Sequence, residues 1–491
     1  MLFNSHVFLF AFLPLALIGF FLIGRLKSPS AALVWLIAAS LFFYGWWDPA
    51  FVPLILLSIA ANFAFGVCLA RAGRGQKALL VAGVAFNLSL LGYYKYAHFL
   101  LASFLPNSSL LTAASEITLP LAISFFTFQQ IAYLIDVYRG KTKEYRLLHY
   151  CLFVTFFPQL IAGPIVHHRE MMPQFARRNL YKCESSNLAV GLTIFILGLA
   201  KKTILADGMA GFAELAFGEH PSAAGPGLIE AWTGALAYSF QIYFDFSGYS
   251  DMAIGLGRMF GIRLPVNFNS PYKATSIIEF WRRWHMTLSR FLLHYLYIPL
   301  GGNRLGSSRR YANLLLTMLL GGLWHGASWT FVVWGGLHGA YLVINHGWRQ
   351  LLVRLNPRGG QEEPARLLWL SRLLTFAAVV FGWVMFRAES LESALRIYRG
   401  MLGLHGITAA PNAWASLGVP CLLAVALLTL VWVAPNTQEI MSGPDERGRQ
   451  QPGEAWPRWS PNWAWATATS LLAAAAVLGM TTLDEFIYFQ F

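Results

Sequence analysis

The chain has 491 residues, 56% of them hydrophobic and only 12% charged, about half the charge of a soluble chain. That balance excludes a soluble globular enzyme: apolar runs of about 20 residues, enough to cross a hydrocarbon layer of about 30 Å, recur from end to end. The net charge of +13 falls in short loops between spans, the distribution that orients membrane helices, and no basic run interleaved with aromatics points to nucleic acid.

The first span, "VFLFAFLPLALIGFFLIG", has no basic residue before it, and Arg25 and Lys27 follow it. A secretory signal has the opposite charge order and a small-residue cleavage site, so this segment is expected to be retained, with its N-terminus outside and Arg25 in the cytoplasm. Spans over 31–47 and 50–70 turn at Asp48-Pro49 and return to Arg71, Arg74 and Lys77. Spans over 78–94 and 117–138 lead to "RGKTKEYR", whose Arg139, Lys141, Lys143 and Arg146 again fall inside. Three loops thus agree with one orientation. The next apolar stretch, "CLFVTFFPQLIAGPI", contains Pro158 and Pro164 and has basic residues on both flanks. A single crossing would violate the charge rule, so a re-entrant segment of broken helix is expected, lined by protein rather than lipid. The same reasoning applies to "FLLHYLYIPLGG", between Arg290 and Arg304, Arg309 and Arg310. Two such elements from one side imply a cavity open to the cytoplasm. Spans over 187–206 and 228–256 lie between them. A hairpin over 311–346 and spans over 366–386, 415–434 and 464–482 complete the chain. The polar stretch beginning at Asn436 and ending at Pro461 is the one segment expected to be disordered. The expectation is an all-α polytopic membrane protein of about 11–12 crossings, a single domain over residues 1–491. The four cysteines show no metal or disulfide spacing.

Polar residues at membrane depth are costly and by default functional. In "GGLWHGASWTF", His325 lies about 22 Å along a helix from Arg310, within the membrane interior. Gly321, Gly322 and Gly326 around it admit either a substrate or a neighbouring backbone. In "NSPYKATSIIEFWRRWHMTLSRF", Ile277, Trp281, Trp284 and Leu288 form an apolar stripe opposite Glu279, Arg282, Arg283 and Arg290. The pattern predicts one amphipathic interfacial helix, either a headgroup anchor or a basic rim for a phosphorylated donor, with His285 at the boundary of its faces. Gln129, Tyr133 and Asp136 share a helix face, and Gln241, Asp245, Ser247, Ser250 and Asp251 interrupt another span; both sets are read as structural. His338 and His346 are also read as structural, and His167-His168 as solvated. No HExxH spacing implies a metal.

Five motifs, "FPQLIAGPI", "YFDFSGYSDMAIGLG", "FWRRWHMTLSRF", "YLYIPLGGNR" and "LLTMLLGGLWHGASWTFVVWGGLHG", stand in order along the chain. Together with the opening "SHVFLFAFLPL" and the closing "FIYFQF", they resemble the bacterial polysaccharide branch of the membrane-bound O-acyltransferase family. That branch includes alginate O-acetylases and teichoic acid D-alanyl transferases. The resemblance implies a bundle with re-entrant segments around a central funnel, with the family's invariant histidine at His325 and its second histidine at His285. It departs at Gln159, where alginate members often carry histidine, which leaves peptidoglycan, cellulose or another exported glycan open. The implied reaction takes an acetyl group from a cytoplasmic thioester, acetyl-CoA, as donor substrate, with no bound cofactor and no metal. His325 acts as general base on an acceptor hydroxyl, and burial in low dielectric favours the neutral ring a base requires. His285 orients the acyl group or stabilises the oxyanion, and Arg282 and Arg283 form a rim for the phosphates. The implied partners are a periplasmic acetyl-accepting transferase, a polysaccharide acceptor and the lipids of the bacterial inner membrane. D-alanyl transfer, a polysaccharide flippase and a non-catalytic export scaffold are the rival readings.

Overall fold

A computed structural model describes residues 1–26, 28–142, 146–218, 225–355, 365–408, 413–441, 458–480 and 487. Lys27, Lys143, the middle of the polar stretch at 442–457 and, apart from Ile487, the closing "FIYFQF" lie outside the described residues. The described residues contain helices and no strand. Among the described residues, five helices are long and apolar enough to cross a membrane: Phe8–Arg25, Pro49–Arg71, Gln76–Phe104, Ser185–Phe217 and Leu367–Arg387. Shorter apolar helices run over Pro29–Gly45, Gly418–Val433 and Trp463–Leu478. Four more helices carry polar side chains along apolar sequence: Ile123–Tyr138, Leu228–Met259, Gly306–His325 and Trp329–Leu355. The chain is a multi-pass helical membrane protein.

Three boundaries differ from the sequence expectation. The spans placed over 78–94 and 187–206 continue to Phe104 and Phe217, because wide π-helical turns at Gly92–Tyr96 and Lys201–Ala206 carry the helix onward. The span placed from 117 begins only at Ile123. Pro120 holds its predecessor extended, and Ala122 adopts φ +61° just before the helix starts.

Two compact units divide the chain. The first comprises Met1–Ala200, Gly248–Val266 and Pro461–Gln490. Its centre is aromatic: Phe3 stacks on Tyr249 at 4.6 Å between ring centres, and Phe12 meets Phe157 edge-on at 5.2 Å. Polar side chains tie its helices together, as expected where lipid supplies no hydrophobic drive. Asn62 and Asn87 exchange amide hydrogen bonds of 3.1 and 2.6 Å. Gln130 donates to Ser58 at 2.9 Å and accepts from Tyr150 at 3.1 Å. The proline-bearing segment folds as two short helices, Leu147–Thr155 and Phe157–Leu160. Nine residues rise only about 13 Å, so neither crosses a bilayer. The break at Phe156 frees backbone groups that must be satisfied inside protein: the Phe157 N–H donates to Ser40 Oγ at 3.1 Å, and Gln159 Nε2 donates to the Phe153 carbonyl at 2.5 Å.

The second unit comprises Lys201–Ser247 and Asn267–Ser460. It holds five helices that matter below: α1 (Ile277–Arg283), α2 (Met286–Leu292), α3 (Gly306–His325), α4 (Trp329–Leu355) and α5 (Ala365–Arg387). Helices α3 and α4 form the expected hairpin, closed at its base by Arg310 Nη2 on His346 Nδ1 at 2.5 Å and Tyr311 on Gln350 at 3.1 Å. Near the turn, the backbones touch at glycine. A side chain on Gly335 would collide with the Met318 carbonyl, and one on Gly322 with the Phe331 carbonyl. Gly322 therefore serves helix packing rather than substrate approach. After Tyr297 the chain turns at Ile298–Leu305, so the second re-entrant segment also stays short. The ends of the polar stretch expected to be disordered are ordered: Thr437–Met441 is helical, and Asn436 Nδ2 donates to Asn269 Oδ1 and Ser270 Oγ, each at 2.9 Å. Lys202, Asp207 and Asp245 form a charged trio with contacts of 2.7 and 2.8 Å, which neutralises a buried lysine inside the array.

Candidate active site

His325 is the last residue of α3, and Gly326 begins the turn that reverses the chain into α4. The ring is 4% exposed. Its walls are aromatic: Trp324 at 5.0 Å, Trp334 of α4 edge-on at 5.2 Å and Phe386 of α5 at 5.4 Å. Trp383 packs against Trp334 at 5.9 Å and closes the box from behind.

His285 arrives by a different route. The single amphipathic helix expected from residue 277 is instead two helices broken at Trp284–His285. The reason lies in the backbone: the Asn269 N–H takes the Arg283 carbonyl at 2.9 Å, and the Met286 N–H donates to the Asn267 carbonyl at 2.9 Å. Residues 267–269 thus claim groups that a continuous helix would use itself. The break leaves His285 at φ +43°, a left-handed conformation that costs a non-glycine residue about 1–3 kcal/mol and tends to persist at functional sites. It also turns the imidazole fully inward, to 0% exposure. Asn267 Oδ1 lies 3.1 Å from His285 Nδ1, and Phe246 meets the ring edge-on at 4.8 Å. The two histidine rings stand 6.3 Å apart, centre to centre.

A cavity of about 580 Å³ opens beside this pair, lined by Trp281, Arg282, Ser289, Arg304, Arg310 and Met318 among others. Neither histidine lines it. Ser289 lies one turn of α2 beyond His285, about 6 Å along the axis, and Met318 lies two turns of α3 before His325, about 10 Å. Arg282 is exposed and contributes to the cavity wall. Arg283 is already engaged: its guanidinium bonds Glu279 at 2.8 and 2.9 Å and the Asn269 carbonyl at 3.2 Å. Burial alone would raise the Glu279 carboxyl. Hydrogen bonds from Thr275 and the Arg283 charge outweigh it and hold the group below the usual carboxylate range.

Other polar residues flagged by the sequence fall elsewhere. His338 Nδ1 accepts from Trp281 Nε1 at 3.3 Å, which braces α1 against α4. Gln129, Tyr133 and Asp136 are buried in the first unit. Of His167-His168, both expected to be solvated, only His167 keeps some exposure, at 23%, with its Nε2 2.7 Å from Asp136 Oδ2, while His168 is 3% exposed. Burial, with a smaller contribution from His167, pushes the His168 ring down to about 3. The helix His168–Phe175 draws both rings in, because its Met171, Met172 and Phe175 pack into the core. Sequence reasoning missed Asn267, Phe246 and Phe386. Each meets its histidine across 18 or more residues, and no local periodicity reports such contacts.

A model of the membrane-bound O-acyltransferase family matches residues 139–380, which contain both histidines. A peptidoglycan O-acetyltransferase of Helicobacter pylori is 46% identical over 440 residues, covering 83% of this chain and 81% of that protein. A probable alginate O-acetylase of Pseudomonas aeruginosa is 38% identical, with both chains covered in full. A teichoic acid D-alanyltransferase of Streptococcus thermophilus is 28% identical over 54% of this chain and 68% of its own length.

Proposed function

The chain belongs to the membrane-bound O-acyltransferase family, and on that premise we propose that it is an acetyltransferase of the bacterial inner membrane that supplies acetyl groups to an exported glycan. The observation that carries this reading is the meeting of His325 and His285, two buried rings 6.3 Å apart from segments 40 residues apart in sequence, beside a cavity with arginines on its wall. In the proposed reaction acetyl-CoA enters from the cytoplasm, and Arg282 attracts its phosphates. His325 takes the proton of an acceptor hydroxyl as the oxygen attacks the thioester carbonyl, an assistance of about 10²–10⁴-fold. The aromatic box excludes bulk water that would hydrolyse the thioester. The hydroxyl belongs to a periplasmic transferase, which forwards the acetyl group to the sugar. Relatives that act on peptidoglycan and on alginate both support an exported glycan as the final acceptor.

The test uses membrane vesicles from the native host, loaded with acetyl-CoA labelled in the acyl group. Label should enter the glycan fraction with wild-type protein and fail to enter with His325→Ala at equal protein abundance. Undiminished labelling by the variant would leave a flippase or scaffold as the better reading. The D-alanyltransferase relative motivates a second arm, in which a D-alanyl carrier-protein thioester replaces acetyl-CoA; transfer in that arm alone would change the acyl group proposed.

A further inference from the structure

Asn267 is the residue through which the histidine pair acquires a direction. Its Oδ1 lies 3.3 Å from the Thr287 backbone nitrogen, 2.8 Å from Thr287 Oγ1 and 3.1 Å from His285 Nδ1. A backbone N–H can only donate, so the amide atom facing it is the oxygen, which settles the usual ambiguity between the two ends of an asparagine amide. An amide oxygen can only accept. His285 Nδ1 therefore carries the hydrogen, and in the neutral ring the lone pair sits on Nε2. That atom is buried and has no hydrogen-bond partner among the described residues.

We propose that Asn267 is a positioning residue of the acyl-transfer reaction, which fixes His285 as the ring that offers a lone pair, and not an N–H, to the reacting groups. The proposal rests on the catalytic reading of the histidine pair given above. It sets aside the oxyanion role expected for His285, since a lone pair cannot donate to an oxyanion. In the reaction the acceptor O–H bond breaks and its proton passes to His325 as the C–O bond forms. The C–S bond then breaks, and the thiolate leaves with the proton that His325 returns. His285 Nε2 gains no proton in this cycle. While the proton resides on His325, one ordered water accepts a hydrogen bond from that imidazolium and donates one to His285 Nε2, which stabilises the charge. Direct ring-to-ring bonding at about 3 Å between nitrogens would bring the ring centres closer than the 6.3 Å observed, a spacing that accommodates one bridging oxygen. An amide suits this task because it selects the tautomer without adding charge, leaving the ring neutral. The left-handed backbone at His285 holds Nδ1 on the amide.

The vesicle assay tests this with two substitutions. Asn267→Leu keeps the approximate shape and removes the acceptor; transfer is expected to fall about 10–100-fold, the range for loss of a residue that orients a functional histidine, with the KM for acetyl-CoA unchanged. Asn267→Asp keeps an acceptor oxygen and should restore transfer to within a few-fold of wild type. A carboxylate beside the ring favours imidazolium, so the lone pair is lost at higher pH and the acid limb of the pH profile should move upward. Solid-state ¹⁵N NMR of histidine-labelled wild-type protein, assigned by difference from folded His285→Ala, should show a protonated Nδ1 whether or not either Asn267 variant folds. A protonated Nε2 in that spectrum, or full activity of Asn267→Leu alongside an inactive His285→Ala, overturns the proposal. Full activity of His285→Ala overturns the underlying reading instead.

Discussion

Two histidine pairs are drawn inward in this molecule, and they are held by opposite means. In the first unit, His167 sits 2.7 Å from the buried carboxylate of Asp136, with His168 packed alongside. In the second, His285 and His325 stand among Phe246, Trp324, Trp334 and Phe386, with an amide as the polar partner of His285. A carboxylate gives an imidazole a charged hydrogen-bond acceptor, whereas an amide among aromatic rings gives it a neutral one and leaves the lone pair of the other ring nitrogen available. The first pair is read as a structural tie, and the second lies near the cavity with arginines on its wall, where acyl transfer is proposed. Counting histidines in the sequence does not separate them, but their neighbours do.

That contrast breaks most sharply if the wrong pair proves essential. His325→Ala should lower acyl transfer by about 10³-fold or more, within the range for removal of a catalytic base, far beyond what any loss of folded protein accounts for. His285→Ala should follow at about 10²-fold. His168→Ala should do the reverse: transfer per folded molecule stays near wild type, and stability falls by about 1–3 kcal/mol, the usual cost of opening a buried site. Measuring transfer and thermal unfolding on the same preparations decides it, and an inactive but stable His168→Ala would erase the distinction.

The next effect sharpens how the second pair is held. Gly335→Ala places a Cβ against the Met318 carbonyl and the Gly322 backbone, and a collision with backbone cannot be relieved by a rotamer change. Overpacking of this kind costs about 1–3 kcal/mol, and forcing α3 from α4 also displaces Trp334 from His325. Thermal unfolding should fall, and transfer should drop further than the unfolding accounts for. Gly347→Ala, on the same helix with open space at its Cβ, is the control and should change neither.

Much of this organisation is legible in the sequence because lipid imposes strict rules. Charge in the loops and proline in an apolar run point to the spans and the two broken segments, and depth makes His325 one candidate among several polar residues, which the glycines beside it and the family motif then favour. The break at His285 is not legible. Ile277, Trp281, Trp284 and Leu288 keep helical spacing through it, and Trp284 and Leu288 are indeed buried. Only the competing bonds from Asn267 and Asn269 end the first helix, and those depend on a tertiary approach. His167-His168 are hidden for a similar reason. Arg169 and Arg177 make the stretch read as a solvated loop, whereas Met171, Met172 and Phe175 anchor it in the core.

The smallest expected effects separate two neighbouring arginines that the sequence treats alike. Arg282 is exposed on the cavity wall, while Arg283 is tied to Glu279. Arg282→Ala should raise the KM for acetyl-CoA several-fold and weaken its salt dependence, since steering by an exposed charge is screened within about 8 Å at physiological ionic strength. Arg283→Ala should leave that KM unchanged and act on stability. Both partners of its ion pair are about a third exposed, so the loss is about 0.5 kcal/mol or less after solvent screening. Because the Glu279 carboxyl lies below its usual range in the folded state, the pair's contribution is present above the unfolded carboxylate pKa and disappears as pH falls through the folded one. Wild type and Arg283→Ala should therefore differ slightly in unfolding temperature at pH 7 and converge in acid. A KM effect from Arg283→Ala equal to that from Arg282→Ala would mean that the Glu279 bond opens when donor binds, and both arginines would then belong to the phosphate rim.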